Sequence, residues 1–425
     1  MVAAVDPSYV PRSADMVLDE MVHDHSAVMI VGPRATGKTT SAQRLAGSSL
    51  QLADSRQRTA FAADIEYALT TSREPVLVDE WQEVPDALGH IKALVDAEPR
   101  RGRFIITGSV RGDVDMQTWP GTGRTVRLEM YGLTEREIEG GAAEVPWIHG
   151  VLRGSVGRVQ SSDRLAGYVR RALRSGFPEP ALTMSETARA RWLTSYVDHL
   201  VTRDAEGVDG GRDPIRLRRY LTAYVLNSAG VVDDTTIYGA AGVAKNTARA
   251  YDRLLQNLLV ISEVPAWTTN RLKRLSLAPK RFLVDPGLFV GTLGVDEAEV
   301  MADGDLLGRV IETFVVAQIR SELALLAPRP RLHHLRTAEG RHEVDIIIEV
   351  GARKLVAIEV KATSTPGPDD ARHLRWLKRE LGSQVVAAIV LHSGPNTFEM
   401  GDGIVACPIS CLWASESIIR RPANQ

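Results

Sequence analysis

Near the start of the chain, two glycines, a lysine and a threonine have a spacing suited to phosphate binding. The apolar segment AVMIV is followed by GPRATGKT, which fits G-x-x-x-x-G-K-[ST] at Gly32, Gly37, Lys38 and Thr39. Glycines let backbone N–H groups surround phosphate oxygens, the lysine offsets β- and γ-phosphate charge, and the threonine hydroxyl can bind Mg²⁺. This pattern predicts ATP and Mg²⁺ as cofactors. The expected nucleotide contacts are Gly32, Pro33, Arg34, Ala35, Thr36, Gly37, Lys38, Thr39 and Thr40.

A pair of acids follows the next apolar strand, PVLV, about forty residues after the loop, at Asp79 and Glu80. ATP hydrolysis needs an acid that holds the metal ion and a group that orients water. We expect Asp79 to hold Mg²⁺ together with Thr39, and Glu80 to act on the attacking water. The alternative is that both acids only open the following helix, where negative charge suits the helix dipole.

Polar residues also end a third strand, FIITGS, at Thr107 and Ser109. Ligands of parallel sheets lie at the carboxyl ends of the strands, so Ser109 is expected to contact the γ-phosphate or the water. An ordinary strand exit is the alternative. Downstream, Arg124 and Arg127 accompany another strand, and we expect Arg124 to sense the nucleotide.

Five segments carry a resemblance to a known family. GPRATGKTT, VDEWQ, FIITGS, GRTVRLEMYGLTEREI and GFPEP, in this order, resemble prokaryotic AAA-type ATPases that have a C-terminal region of unknown function. The resemblance implies ATPase activity in a domain with a parallel sheet, and a homo-oligomer as one expected assembly. In one respect the chain departs from the family, which usually reads "AGR" where this sequence has Thr122, Gly123 and Arg124.

The C-terminal third places charges inside an apolar hairpin, EVDIIIEVGARKLVAIEVK. Because side chains alternate along a strand, Asp345 can share one patch with Glu359 and Lys361. Glu312 interrupts the apolar stripe of an upstream helix. We expect Glu312, Asp345 and Glu359 to bind a second Mg²⁺ or Mn²⁺, and Lys361 to act as a catalytic residue that steadies charge or water, as phosphodiester cleavage would require.

The order of predicted elements around this hairpin is helix, three strands, helix, strand. It resembles the core of the PD-(D/E)XK nuclease fold, with Glu359 and Lys361 as the E-x-K pair, and implies a restriction-endonuclease-like α/β domain. Buried carboxylates are costly unless they are paired, and Lys361 alone could pair them. An ion pair on a scaffold that cuts nothing is therefore the alternative.

Between these regions, residues 215–285 predict three helices and a strand pair. This is the pattern of a winged helix-turn-helix, whose third helix can enter a DNA major groove. Between residues 245 and 281, eight basic residues against Asp252 and Glu263 leave a local charge of about +6, as phosphate binding favours. DNA is the expected partner, and a plain packing module is the alternative. The eight are Lys245, Arg249, Arg253, Arg271, Lys273, Arg274, Lys280 and Arg281.

The composition sets outer limits on these interpretations. A chain of 425 residues predicts several domains, and a net charge of -2 excludes a global field that attracts nucleic acid. No apolar run approaches the roughly 20 residues that cross a bilayer, so we expect a cytoplasmic protein without membrane contact. Cys407 and Cys411 are expected to be buried structural residues.

We therefore predict an α/β protein with four regions. They are an AAA-type ATPase domain with a P-loop and a parallel sheet at 1–138, a helical linker region at 139–214, a winged helix-turn-helix at 215–295 and a PD-(D/E)XK nuclease-like domain at 296–425. The predicted function is ATP hydrolysis that couples nucleotide state to DNA binding and to the nuclease-like domain. The alternative is a nucleotide-controlled DNA- or protein-binding regulator whose nuclease-like domain is catalytically silent.

Overall fold

Five parallel strands form the sheet of the N-terminal region, in the order β2-β3-β4-β1-β5. The computed structural model describes residues 9–109, 123–204, 213–270, 277–337, 340–351 and 354–414. The chain divides into two compact units, Met1–Leu133 with Leu255–Val260, and Thr134–Leu254 with Ile261–Gln425. The predicted boundaries at 138, 214 and 295 stay predictions.

The first unit alternates strands and helices. Its elements are α1 (Ala14–Asp24), β1 (Ala27–Val31), α2 (Lys38–Gln43), β2 (Ser48–Gln51), α3 (Ser55–Ala63), α4 (Ile65–Thr71), β3 (Val76–Asp79), α5 (Ala87–Ala97), β4 (Phe104–Gly108) and β5 (Thr125–Glu129). Strands β1, β3 and β4 are buried along their whole length, which explains their continuous apolar runs. Side chains from α3, α4 and α5, among them Phe61, Leu69 and Ile91, pack on one face of these strands.

The register of the parallel strands determines which residues meet. Ile30 of β1 is opposite Thr107 of β4, and Val31 is opposite Gly108. Val78 of β3 is opposite Ile106 of β4. The residues that follow β1, β3 and β4 therefore emerge at one edge of the sheet, where the phosphate loop begins.

The second unit starts with helices. They are α6 (Glu135–Ile138), α7 (Trp147–Val151), α8 (Leu165–Arg174), α9 (Pro178–Thr183), α10 (Glu186–His199), α11 (Pro214–Leu226), α12 (Asp234–Ala241) and α13 (Lys245–Asn257). The TEREI letters form α6, whose Glu135 is buried and pairs with Arg171 and Arg174 of α8. The TEREI letters, which are part of the family resemblance, therefore have a structural role in linking α6 to α8.

A two-stranded antiparallel sheet follows α13, formed by β6 (Ile261–Val264) and β7 (Lys280–Leu283). The order of three helices and a strand pair agrees with the pattern expected from the sequence. Helix α11 packs against α12, and the rings of Tyr220 and Tyr251 lie 5.7 Å apart between α11 and α13.

A six-stranded mixed sheet forms the C-terminal part, in the order β12-β13-β11-β10-β9-β8. Strands β8, β9 and β10 are antiparallel neighbours, whereas β10, β11 and β13 run parallel. Its elements are α14 (Leu288–Leu293), α15 (Glu297–Ala302), α16 (Gly304–Leu323), β8 (Arg331–Arg336), β9 (Glu343–Val350), β10 (Lys354–Lys361), α17 (Arg372–Leu381), β11 (Val385–His392), β12 (Phe398–Glu399) and β13 (Ile404–Pro408).

Two sequence expectations are met in this part of the chain. Helix α16 precedes three strands, and α17 and β11 follow, which is the predicted element order. Cys407 and Cys411 are both buried and free, as expected for structural residues. None of the helices within the described ranges is both long enough and apolar enough to cross a membrane.

Candidate functional site

Two glycines set the path of the phosphate loop between β1 and α2. A Cβ atom on Gly32 would lie 1.9 Å from the carbonyl oxygen of Met130, so only glycine fits there. Gly37, at φ 88°, precedes α2 in a left-handed conformation that glycine adopts without strain. Thr36 donates its hydroxyl to the Pro33 carbonyl at 2.9 Å, which closes the loop on itself. Arg34, Ala35 and Thr40 are exposed.

Lys38 is only 4% exposed, and its ammonium donates to the Pro33 carbonyl at 2.7 Å. Burial lowers the pKa of Lys38 to about 8, although the charges of Glu80 and Asp79 oppose this shift. The loop therefore holds an amine that loses its proton more easily than an exposed lysine does. An anion at this position would stabilise the protonated form.

Three oxygen-bearing side chains meet where β3 and β4 end. The Thr39 hydroxyl donates to Asp79 Oδ1 at 2.8 Å, and the Thr107 hydroxyl donates to the same oxygen. Asp79 is 7% exposed, so these hydrogen bonds offset its burial. Hard oxygen donors are the ligands that Mg²⁺ prefers. Thr39 and Asp79 therefore fit the Mg²⁺ that the sequence predicts.

Glu80 lies one residue beyond β3, and its carboxylate has hydrogen-bond partners different from those of Asp79. Its backbone is left-handed, at φ 57°, and its N–H donates to the Thr107 hydroxyl at 3.3 Å. The Ser109 hydroxyl lies 3.0 Å from both carboxylate oxygens of Glu80, and Gln82 donates to one of them. A carboxylate fixed beside the predicted Mg²⁺ ligands is suited to orienting water.

The approach of β4 to this turn requires a glycine. A Cβ on Gly108 would lie 2.4 Å from the indole nitrogen of Trp81 and 2.9 Å from Gln82 Oε1. Because Gly108 has no side chain, the neighbouring Thr107 and Ser109 reach Asp79 and Glu80. The FIITGS strand end thus positions both acids.

Arg12 is a residue near the site that the sequence did not reveal. Its guanidinium donates to the carbonyls of Thr36 and Tyr131, each at 2.8 Å, and to Gly132 at 3.2 Å. Asp15 accepts from the backbone N–H of Arg12 at 2.8 Å. Arg12 therefore ties the phosphate loop to the segment after β5. A single arginine in a short N-terminal segment carries no pattern that would have indicated this role.

Arg124 lies at the other end of the sheet, contrary to the expected contact with the nucleotide of its own chain. Thr125 is opposite Ala27, the first residue of β1, whereas the phosphate loop begins after Val31. Five residues of strand span roughly 16 Å. Arg124 is 44% exposed and forms an ion pair with Asp96 of α5. A residue that precedes a parallel strand lies at the amino edge of the sheet. The expected contact of Arg124 with the nucleotide is therefore wrong.

In the second unit, the three predicted metal ligands and the predicted catalytic lysine lie together in a group that we call the acid cluster: Glu312, Asp345, Glu359 and Lys361. Asp345 of β9 accepts from the Val360 N–H of β10 at 3.0 Å. Lys361 donates to Glu359 at 2.8 Å. Helix α16 contributes Glu312, and antiparallel pairing of β9 with β10 contributes the rest.

A lysine from outside the hairpin occupies this cluster. The Lys280 ammonium, on β7, lies 2.5 Å from Glu312 Oε1 and 3.0 Å from Asp345 Oδ1, and its side chain is 3% exposed. Burial opposes the charge of Lys280, but Asp345 and Glu312 outweigh it and raise the pKa of this lysine. The sequence predicts Lys280 on a basic surface. This prediction is wrong, because the side chain is buried against two carboxylates.

The pKa values of the carboxyl groups in the acid cluster shift in opposite directions. Burial raises the pKa of Glu312 to about 8, and burial together with Asp345 raises the pKa of Glu359 to about 8. For Asp345, burial is outweighed by Lys280 and by the Val360 N–H, so its pKa is lowered. Lys280 therefore favours the ionised form of Asp345.

The acid cluster does not fit a divalent metal ion while Lys280 is in place. Within the described ranges, no group of three or more His, Cys, Asp or Glu side chains is arranged to hold a metal. Glu312 and Asp345 share an ammonium instead. The second Mg²⁺ or Mn²⁺ stays a prediction, and binding it would require Lys280 to leave. Glu349, on the same strand as Asp345, is buried and lies 3.6 Å from His333.

The eight basic residues of the predicted DNA-binding surface have different environments. Lys280 and Arg281 are buried, and Arg281 pairs with Asp234 and donates to the Val232 carbonyl at 2.6 Å. Arg271, Lys273 and Arg274 lie outside the described residues. The remaining three are exposed on α13: Lys245, Arg249 and Arg253.

Comparisons with known proteins divide the chain into three parts. A family model described as an AAA domain matches residues 24–139. Models described as domains of unknown function, DUF8612 and DUF4143, match residues 165–299 and 307–412. The expectation of an AAA-type ATPase domain followed by a region of unknown function is confirmed at this level. An AAA domain of this kind binds ATP and Mg²⁺ in general.

Full-length relatives and a solved structure are also similar to this chain. Uncharacterized proteins of Mycobacterium tuberculosis (Rv2008c) and Mycobacterium bovis (Mb2031c) are each 28% identical over 411 residues, which cover 96% of this chain and 85% of each relative. The Walker-type ATPase PABY2304 of Pyrococcus abyssi is 13% identical, with a TM-score of 0.43, and the similarity covers 69% of this chain and 100% of that one.

Proposed function

We propose that this protein binds ATP at the P-loop site, hydrolyses it, and couples the nucleotide state to DNA binding. The observation that carries the ATPase proposal is the meeting of Thr39, Asp79 and Thr107 next to the buried Lys38. Glycine-bounded backbone N–H groups would bind the phosphates, and Lys38 would offset their charge. Thr39 and Asp79 would hold Mg²⁺, which supplies neutralisation of phosphate charge when it is bound.

Glu80 would orient the water that attacks the γ-phosphorus. Attack would form a bond between the water oxygen and the γ-phosphorus while the bond from the γ-phosphorus to the oxygen that bridges it to the β-phosphate breaks. The bridging oxygen would leave with ADP, and the proton lost by the water would pass to the released phosphate or to solvent. Glu80 accepts a hydrogen bond from Ser109 at 3.0 Å, which fixes its carboxylate without neutralising it. Thr107 supports both acids, because its hydroxyl donates to Asp79 and accepts from the Glu80 N–H.

Phosphate release from ATP by the full-length protein tests this proposal. We expect Lys38→Ala to lose nucleotide binding, and Glu80→Gln to bind ATP normally while kcat falls about 10²-fold, in the range for a positioned catalytic group. Thr70→Ala is a matched control, because this exposed hydroxyl bonds, among the described residues, to carbonyls of its own helix, α4. Full turnover by Glu80→Gln would exclude the proposed role of Glu80.

We also propose that α13 contacts DNA phosphates. Lys245, Arg249 and Arg253 recur every fourth residue, and all three are exposed, so they form one basic face of the helix. Three helices followed by an antiparallel strand pair are the elements of a winged helix-turn-helix, in which the third helix enters the major groove. The proposal depends on these three residues, because Lys280 and Arg281 are buried in ion pairs.

For the C-terminal domain, we propose a nuclease-like arrangement that is catalytically silent in this state. The element order and the E-x-K pair support the nuclease-like comparison, which is an analogy of fold. The position of Lys280 favours silence, since the acids that would hold a metal ion are paired with its ammonium. Incubation of the purified protein with supercoiled plasmid and Mg²⁺ or Mn²⁺ should produce no nicks, and nicking would refute this proposal.

A further inference from the structure

The acid cluster contains a cation that comes from a different part of the chain. Lys280 belongs to β7, within the region that matches DUF8612, whereas Glu312, Asp345 and Glu359 lie within the region that matches DUF4143. Burying an ammonium costs several kcal/mol unless partners surround it. Lys280 is therefore held by its contacts with Glu312 and Asp345.

The cluster has more carboxylate oxygens than ammonium groups to bind them. Lys361 binds Glu359 Oε1 at 2.8 Å, but Glu359 Oε2 is buried and has no hydrogen-bond partner among the described residues. The side chain of Glu359 is 6% exposed, so water does not replace the missing partner freely. An unpaired, buried carboxylate oxygen beside two paired carboxylates is a site that could accept a stronger cation.

The strand that delivers Lys280 is not part of the sheet that carries the acids. Strand β7 pairs with β6 in a two-stranded sheet, whereas β9 and β10 belong to the six-stranded sheet. Lys280 takes no part in the pairing of β9 with β10. Replacing its side chain therefore removes no backbone hydrogen bond between the two strands that carry Asp345 and Glu359.

We propose that Lys280 is a resident cation that blocks a latent divalent-cation site formed by Glu312, Asp345 and Glu359. Uptake of Mg²⁺ or Mn²⁺, which prefer hard carboxylate oxygens, requires the ammonium to leave. This inference rests on the proposed nuclease-like arrangement and is independent of ATP hydrolysis. It predicts that the site appears when the lysine is removed.

Mn²⁺ binding to the nucleotide-free, full-length protein tests the proposal, with free Mn²⁺ measured by electron paramagnetic resonance. Lys280→Ala should bind one additional Mn²⁺ per chain, at least tenfold more tightly than the wild type does at this site. Lys280→Ala/Asp345→Asn should lose the additional ion, because it lacks a principal ligand. An ion bound at Thr39 and Asp79 would be present in every variant, so the comparison is with the wild type. If the double variant still binds the additional ion, that ion lies elsewhere and the assignment is overturned.

A second variant covers the outcome in which Lys280→Ala does not fold. Lys280→Met/Glu312→Gln removes the ammonium and one carboxylate, and leaves Asp345 and Glu359 to bind the ion. If either variant binds the additional Mn²⁺, or folds only when Mn²⁺ is present, the proposal is supported. If both fold without gaining the ion, or neither folds at any Mn²⁺ concentration, Lys280 is a structural residue and the proposal is overturned.

Plasmid nicking separates this inference from the proposed function. Mn²⁺ binding by Lys280→Ala without nicking would support the latent site and a silent domain together. Mn²⁺-dependent nicking by Lys280→Ala, but not by the wild type, would support the latent site and show that Lys280 suppresses cleavage. Nicking by the wild type would refute the proposal that the C-terminal domain is catalytically silent. If Asp345→Asn abolished that nicking, the proposal that Lys280 blocks the cation site would be overturned as well.

Discussion

The Lys280 ammonium lies 3.0 Å from a carboxylate oxygen of Asp345, although 65 positions separate the two residues in the chain. The contact joins β7 to β9, which belong to different sheets. It also brings Glu312 of α16 to the same ammonium. The sequence predicts Lys280 on a basic surface, but in the structure its ammonium lies at the centre of a buried group of ion pairs.

Replacement of Lys280 by methionine should reduce the free energy of unfolding in metal-free buffer. Asp345 and Glu312 would lose their shared partner, and breaking a buried ion pair from one side costs about 3–5 kcal/mol. The raised pKa of Lys280 keeps its ammonium charged at pH 7, where the loss is measured. Urea unfolding at pH 7 measures the loss.

Lys354→Met is the matched control for that experiment, since Lys354 is exposed at the start of β10. Its free energy of unfolding should stay within about 0.5 kcal/mol of the wild type. Equal stabilities of Lys280→Met and Lys354→Met would show that the buried lysine contributes nothing.

Ser109→Ala should lower kcat for ATP hydrolysis about tenfold and leave KM nearly unchanged. Ser109 contacts the carboxylate of Glu80 at 3.0 Å, and a hydrogen bond to a charged group is worth about 1.5–3 kcal/mol. Combining Ser109→Ala with Glu80→Gln should cause little further loss, because the serine acts through Glu80. Additive losses in the double variant would instead indicate an independent role.

The affinity for ATP should fall as the pH rises above 8. Burial lowers the pKa of Lys38 to about 8, so above this pH the free protein must take up a proton before the lysine can offset phosphate charge. The dissociation constant should rise by up to about tenfold per pH unit, which corresponds to one proton. Titration with a fluorescent ATP analogue from pH 7 to 9.5 measures the slope.

Lys38→Arg gives the comparison for the pH series. A guanidinium stays charged across this range, so the affinity, although weaker, should lose its dependence on pH above 8. The same slope in Lys38→Arg and the wild type would assign the titration to a different group.

Neutralising the basic face of α13 should weaken DNA binding and its dependence on salt. Each lost phosphate contact should reduce the slope of log K against log salt concentration by about 0.9. The test variants are Lys245→Ala, Arg249→Ala and Arg253→Ala. Their DNA binding is measured by fluorescence anisotropy between about 50 and 200 mM salt, the range over which phosphate contacts weaken. Arg216→Ala on α11, also exposed, is the control. Unchanged slopes would refute the DNA contact.

Local sequence was sufficient to predict the geometry of the phosphate loop and the residues that lie next to it. The glycines, Lys38 and Thr39 lie within one strand-turn-helix segment, so their spacing alone indicates their geometry. The rule that parallel strands end at one edge then predicts the meeting of Asp79 and Ser109 with the loop. Applied to Arg124, the same rule would have placed this arginine at the opposite edge, because it precedes β5.

The sequence by itself determined the AAA-type P-loop, the mixed α/β elements of the C-terminal region, and the gathering of Asp345, Glu359 and Lys361, because each depends on short-range periodicity or on one hairpin. Only the tertiary structure decided which cation meets the acids and that Arg12 holds the phosphate loop. Lys280 and Arg12 reach partners 65 and 119 positions away, respectively, and no local pattern specifies a charge pair across such a distance. Burial then converts those contacts into strong constraints, because an unpaired charge in the interior is costly.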